Sequence, residues 1–316
     1  MKKQSLTIYL SFLFLFLTVT SAQAKKLYIV TTTTDIASIT KEIGGDFVSV
    51  DSIAKGSQDP HYIQAKPSYM VKLNRADLLI YQGLQLEIGW LHLLIKGARN
   101  SKVGPLQPGH LDLSSVIQPL EIPLGDLDRS MGHVHPQGNP HYNLSPSNAI
   151  KMANAITDQL ILLDQDNEIT YRKNLNEFVL KVNDRLSNWK SRLNKILNKK
   201  VVVFHRTWIY LFSEFGINQL GTIEKLPGVP PTPMHLAKIK NLIEQNNVRV
   251  IIQASYYDSE FSNLLSEKTG AKTVVLPAFV GGVSEDTNYF STIEYIVTEL
   301  ENAFSSLVTI YSIVDR

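Results

Sequence analysis

The sequence predicts an α/β protein of two (β/α) lobes with mostly parallel sheets, joined by one long backbone helix. Two observations carry this. Short runs rich in Val, Ile, Leu and Tyr alternate with stretches of helical period on both sides of the chain's middle, the pattern of βαβ units. Between them, Leu175, Phe178, Val179, Val182, Leu186, Trp189, Leu193, Ile196 and Leu197 recur in steps of mostly three and four, with no Gly or Pro from Asn167 to Lys199. That is one face of a single helix, about 45–50 Å long at 1.5 Å per residue. A coiled coil would share the period, but the flanks do not continue it. The expected division is a signal peptide at 1–24, an N-terminal lobe at 25–166, the linking helix at 167–199, a C-terminal lobe at 200–305 and a tail at 306–316.

In chain order, Lys2 and Lys3 precede an apolar run, Leu10 to Val19, and Ala22-Gln23-Ala24 follows. This reads as a cleavable secretory signal, because the run is too short to span a bilayer comfortably and polar sequence follows at once. The chain has no Cys, which excludes disulfides, thiolate metal ligands and a lipid-attached Cys. An exported, unlipidated protein of this kind fits a periplasm. The net charge of +2 excludes a strong nucleic-acid or membrane field as the main theme.

Lys26 to Thr31 reads as a buried strand, Ile36 to Ile43 as a helix ended by Gly44-Gly45, and Phe47 to Ile53 as a second strand. The loop from Ala54 delivers Gln58-Asp59-Pro60-His61. A helix at Pro67 to Asn74, a strand at Leu78 to Tyr81 and a helix within Gly83 to Ile95 follow. Residues 99–140 hold no sustained period and read as surface loop with one strand near Val116, ending in Asn139-Pro140-His141-Tyr142-Asn143-Leu144. Ser145-Pro146-Ser147 caps a helix over Asn148 to Leu163. Beyond the linking helix, Lys200 to Phe204 is a strand with His205 at its carboxyl end, the edge at which open α/β sheets bind ligands. Helices at Trp208–Phe215, Met234–Asn247, Phe261–Gly270 and Tyr289–Phe304 alternate with strands at Val248–Gln253 and Lys272–Leu276, and 217–233 reads as loop.

Among the eight histidines, His61, His141 and His205 share a context. Pro fixes the chain before two of the rings, and the third follows a buried strand. Neutral imidazole is the commonest ligand for divalent transition metals. Three His with a carboxylate or water suit Zn2+ at Zn–N distances of about 2.0–2.1 Å. His92, His110 and His235 read as ordinary side chains, and His133 and His135 either as weak metal collectors or as solvated loop.

Gln58-Asp59-Pro60-His61, Asn139-Pro140-His141-Tyr142-Asn143-Leu144 and Val203-Phe204-His205 resemble the metal-site motifs of the zinc and manganese ABC-transporter solute-binding proteins, the zinc-uptake type in particular. The resemblance runs over nearly the whole mature chain. It implies a metal held between two lobes by His61, His141 and His205 and handed to an ABC permease, by a protein that is not an enzyme and acts as a monomer. Manganese-type members commonly carry Glu at the position of His205, so the resemblance favours Zn2+ over Mn2+ or Fe2+. Many members add an Asp from the loop near 277–288. Here Pro277 to Gly282 contains none, which leaves the fourth position to Asp286, Glu224, Asp59 or a water. A zinc hydrolase would also use three His and an open position, with Glu224 as the only loop carboxylate to nominate as its base.

Overall fold

The computed structural model describes residues 26–123, 135–226, 228–283 and 287–314, with side chains through Ser305. The expected signal peptide, His133 and Asp286 lie outside the described residues.

In the N-terminal lobe, strands β1 (Leu27–Thr31), β2 (Val48–Ser52), β3 (Leu78–Tyr81) and β4 (His110–Asp112) form a sheet of order β2-β1-β3-β4. Every pairing is parallel. In the C-terminal lobe, β5 (Lys200–Val203), β6 (Asn218–Thr222), β7 (Val250–Ala254) and β8 (Lys272–Leu276) repeat that arrangement in order β6-β5-β7-β8, again all parallel. The central strands are apolar on both faces, as a sheet covered by helices on both sides requires. Ile29, Val30, Leu79 and Ile80 in one lobe, and Val201, Val202, Ile251 and Ile252 in the other, are fully buried.

Helices α1 (Thr34–Gly44), α2 (Pro67–Arg75), α3 (Leu91–Ala98) and α4 (Pro146–Leu163) belong to the first lobe. Helices α6 (Ile209–Phe215), α7 (Pro233–Gln245), α8 (Glu260–Thr269) and α9 (Tyr289–Val314) belong to the second. Ser145 caps α4 by accepting from the Asn148 N–H at 3.3 Å, with Pro146 at the first helical position.

The linking helix α5 runs Glu168–Leu193 with a 3-10 turn at each end, Gln165–Asn167 and Asn194–Ile196. It stops short of Lys199 because Leu197 is extended and Asn198 takes a left-handed φ of 61°, a role Asn fills at helix ends when Gly is absent. Both lobes grip it. The Asn174 amide donates to the Ile43 carbonyl at 2.8 Å on the N-terminal side. On the other, Phe178 packs on Phe290 with centroids 5.2 Å apart, and Trp189 donates to Glu294 at 2.8 Å. Arg192 binds Glu294, Thr298 and Glu301 along α9.

Three readings need correction. The strand expected near Val116 lies at His110–Asp112, and Val116 sits in a 3-10 turn after it. The stretch 217–233 is not wholly loop, since Asn218–Thr222 is an edge strand. Its Asn, Gln and Gly have little intrinsic strand preference, and pairing with β5 decides the outcome. The segment 306–316, expected as a tail, continues α9 to Val314.

The lobes meet closely away from the linking helix. Gly56 lies so near the other lobe that a Cβ there would fall 2.0 Å from the Val280 carbonyl oxygen. Thr34 donates to that oxygen at 2.7 Å, Asp35 accepts from the Val280 N–H at 3.2 Å, and Asn143 donates to the Ala278 carbonyl at 3.1 Å. The 277–282 loop is therefore held to the N-terminal lobe through its backbone.

Candidate metal centre

His61 and His141 each stand at the third position of an Asx-Pro-His turn. The Asp59 carboxylate accepts from the His61 N–H at 3.0 Å, and the Asn139 side-chain oxygen accepts from the His141 N–H at 2.9 Å. This side-chain-to-backbone closure is the reason Asp and Asn initiate such turns, and the following Pro removes a competing donor. Each turn is then fixed from behind. Trp90 donates its indole N–H to the Pro60 carbonyl at 2.7 Å, and Gln82 donates to the Pro140 carbonyl at 2.8 Å. Gln82 is placed in turn by the buried Glu87, which accepts from the Gln82 and Gly83 N–H groups and from Thr32. Burial pushes the Glu87 carboxyl up to about 7, against those hydrogen bonds. His205 needs no turn of this kind, because it sits two residues beyond β5 and inherits its position from the sheet.

The three rings converge. Their ligand nitrogens lie within 4.8 Å of one another. Ring centroids are 5.3 Å apart for His61 and His141, 5.4 Å for His141 and His205 and 5.8 Å for His61 and His205. Only 9%, 1% and 6% of His61, His141 and His205 is exposed.

The surroundings of the rings differ. His61 Nδ1 lies 2.6 Å from Asp59 Oδ1, and His205 Nδ1 lies 2.6 Å from Glu224 Oε2. Each carboxylate fixes a proton on Nδ1 and turns the Nε2 lone pair toward the centre, the usual support of a metal-binding imidazole. Burial pushes the Asp59 carboxyl up, but its bonds from His61 hold it below its ordinary value. His141 has neither ring nitrogen bonded, although both are buried. Burial, reinforced by the neighbouring His61, His205 and His135, holds its pKa well below the ordinary imidazole value, so the ring stays neutral. A buried imidazole with no partner costs free energy that an ion at the centre would recover.

Asp59 and Glu224, both weighed from sequence as fourth ligands, are thus engaged with Nδ1 atoms of the histidines. The sequence reading left His135 between a collector and a solvated residue. Its Nε2 lies 3.1 Å from His61 Nε2. His110 bonds to Val103 and Tyr81, and His235 to the Thr222 carbonyl, both as ordinary polar contacts.

The family model for the periplasmic zinc-uptake complex component A, ZnuA, matches residues 29–303. The chain belongs to this family. Within it, the chain is 28% identical over 302 residues to the zinc-binding lipoprotein AdcA of Streptococcus pneumoniae, an alignment that takes in 93% of this chain and 59% of AdcA. It thus spans little more than half the length of that relative. It is 28% identical to the high-affinity zinc uptake system protein ZnuA of Bacillus subtilis, over 84% of this chain and 83% of that one. It is 26% identical to the manganese ABC transporter substrate-binding lipoprotein PsaA of Streptococcus anginosus, over 90% and 91%. A solved ZnuA structure carrying a 138–173 deletion and bound zinc superposes with a TM-score of 0.75 at 24% identity, over 88% of this chain and 98% of that one. That match bears on the fold, and it agrees with two parallel-sheet lobes. No helix among the described residues is long and apolar enough to cross a membrane.

Proposed function

We propose that the protein captures Zn2+ between its lobes through His61, His141 and His205 and delivers it to an ABC permease in the inner membrane. The observation that carries this reading is the His141 ring, buried to 1% exposure with both nitrogens unbonded and two carboxylate-oriented imidazoles beside it. Zinc is favoured over manganese by the chemistry of the donors. An all-imidazole set suits zinc, whereas manganese prefers carboxylate and water oxygen. The relatives include zinc and manganese binders, so the choice rests on the residues.

Both carboxylates beside the site are engaged by imidazole nitrogens, which supports a binding role rather than hydrolysis with Glu224 as base. On this reading the first 24 residues direct export to the periplasm, and the protein acts there as a monomer. The test is competition titration of metal-free protein with Zn2+ and Mn2+. Zinc should bind one ion per chain and displace manganese. Tighter binding of manganese would overturn the assignment.

A further inference from the structure

We propose that His135 is the fourth zinc donor, completing a four-histidine site; the inference rests on the three-histidine reading above. His135 Nε2 is 3.1 Å from His61 Nε2. Two nitrogens bound to one tetrahedral zinc at about 2.0–2.1 Å stand about 3.3 Å apart, so the pair already has close to the spacing of one edge of the coordination shell. The rings are tilted by 37° with centroids 5.3 Å apart, which aims the nitrogens at one another rather than stacking the faces.

Asp59 holds the His61 proton on Nδ1, so His61 Nε2 accepts and His135 Nε2–H donates. Zinc bound between the two rings would take the place of that proton, with His135 carrying its proton on Nδ1 and both Nε2 lone pairs turned to the metal. The four donors are then neutral imidazoles, and Asp59 and Glu224 behind them balance the charge of the dication.

The chain around His135 is built to hold it. The Gly138 N–H donates to the His135 carbonyl at 3.1 Å, closing a tight turn. Gly138 has a φ of 111°, and a Cβ there would fall 2.6 Å from Pro119, so the turn requires glycine. The Asn139 N–H binds the Leu120 carbonyl at 2.8 Å. The Tyr210 hydroxyl donates to the Asn139 carbonyl at 2.8 Å and accepts from the Leu120 N–H at 2.9 Å. His135 is therefore held against His61 by a turn anchored to the C-terminal lobe.

The test compares wild type, His135→Ala and His135→Asp by zinc competition titration and by visible absorption of the Co2+-loaded proteins. His135→Ala should weaken zinc binding by about 100-fold, at or beyond the upper end of what loss of an outer-shell partner costs. Its Co2+ spectrum should change as one nitrogen is lost. His135→Asp should recover much of the zinc affinity and raise Mn2+ affinity relative to zinc. A residue that only orients His61 would leave the Co2+ spectrum unaltered. Wild type that binds zinc beside a His135→Ala variant with unchanged affinity and spectrum overturns the fourth donor alone. Wild type that takes up no zinc overturns the three-histidine reading with it.

Discussion

The Asp59-Pro60-His61 and Asn139-Pro140-His141 turns are the same backbone device with one side chain exchanged. In both, the Asx oxygen accepts from the histidine N–H. In the first it is a carboxylate that also takes the ring's Nδ1 proton at 2.6 Å. In the second it is an amide whose nitrogen donates away from the ring, to Glu121 at 3.0 Å and to the Arg206 carbonyl at 2.7 Å. One turn spends its acid on orienting the His61 ring. The other spends its amide on fastening the N-terminal lobe to Arg206 of the C-terminal lobe, and leaves the His141 ring held by burial alone. The histidine with the least polar support is the one with most to gain from an ion.

The largest effect should come from removing that ring. His141→Leu should weaken zinc binding by about 100-fold or more, since it deletes a ligand where outer-shell losses alone cost about 10–100-fold. Isothermal or competition titration reads this directly, and an unchanged affinity would remove His141 from the site. Next, Asp59→Asn makes the two turns chemically alike. It should cost about 10–100-fold in zinc affinity through loss of the oriented tautomer, with the metal-free fold retained.

The same pair separates in stability without metal. His61→Leu leaves the partly buried Asp59 carboxylate without its ring partner and should destabilise the metal-free protein by about 1–3 kcal/mol. His141→Leu exchanges an unbonded buried imidazole for an apolar side chain of similar size, and should be neutral or stabilising by about 1 kcal/mol. Denaturant melts of the two variants should move in opposite directions or leave His141→Leu unmoved; equal losses would show that the rings are supported alike.

A pH-dependent effect concerns the second interlobe contact. Burial raises the Asp35 carboxyl to about 7, above its unfolded value, so between those values the folded state holds the extra proton. The stabilising contribution is full below the unfolded pKa and is lost as pH rises toward about 7. Asp35→Asn removes that titration and should melt progressively higher relative to wild type as pH goes from about 5 to 8. A constant difference would place the Asp35 titration elsewhere.

Legibility from sequence follows from where the determining information lies. Buried parallel strands such as Val201–Val203 and Val250–Ala254 announce themselves, because both faces are apolar. The linking helix was readable from its period, but not its end, since Asn198 terminates it through a left-handed φ that no residue type compels. The edge strand Asn218–Thr222 was hidden because its ladder partner, not its side chains, makes it a strand. His61, His141 and His205 were readable as a set from their motifs. Asp59 and Glu224 were visible as carboxylates near the site, but whether they face the centre of the three rings or the far side of one depends on ring orientation, which sequence does not carry. His135 was placed by a turn whose constraint, Gly138 against Pro119, spans 19 positions of chain.

The central claim is that histidines from both lobes meet on one ion. A zinc-loaded crystal measured on both sides of the zinc absorption edge tests it most directly. One anomalous peak should lie about 2.0–2.1 Å from a ring nitrogen of each of His61, His141 and His205. A peak lying away from any one of these three rings, in protein that binds one zinc tightly, would contradict it.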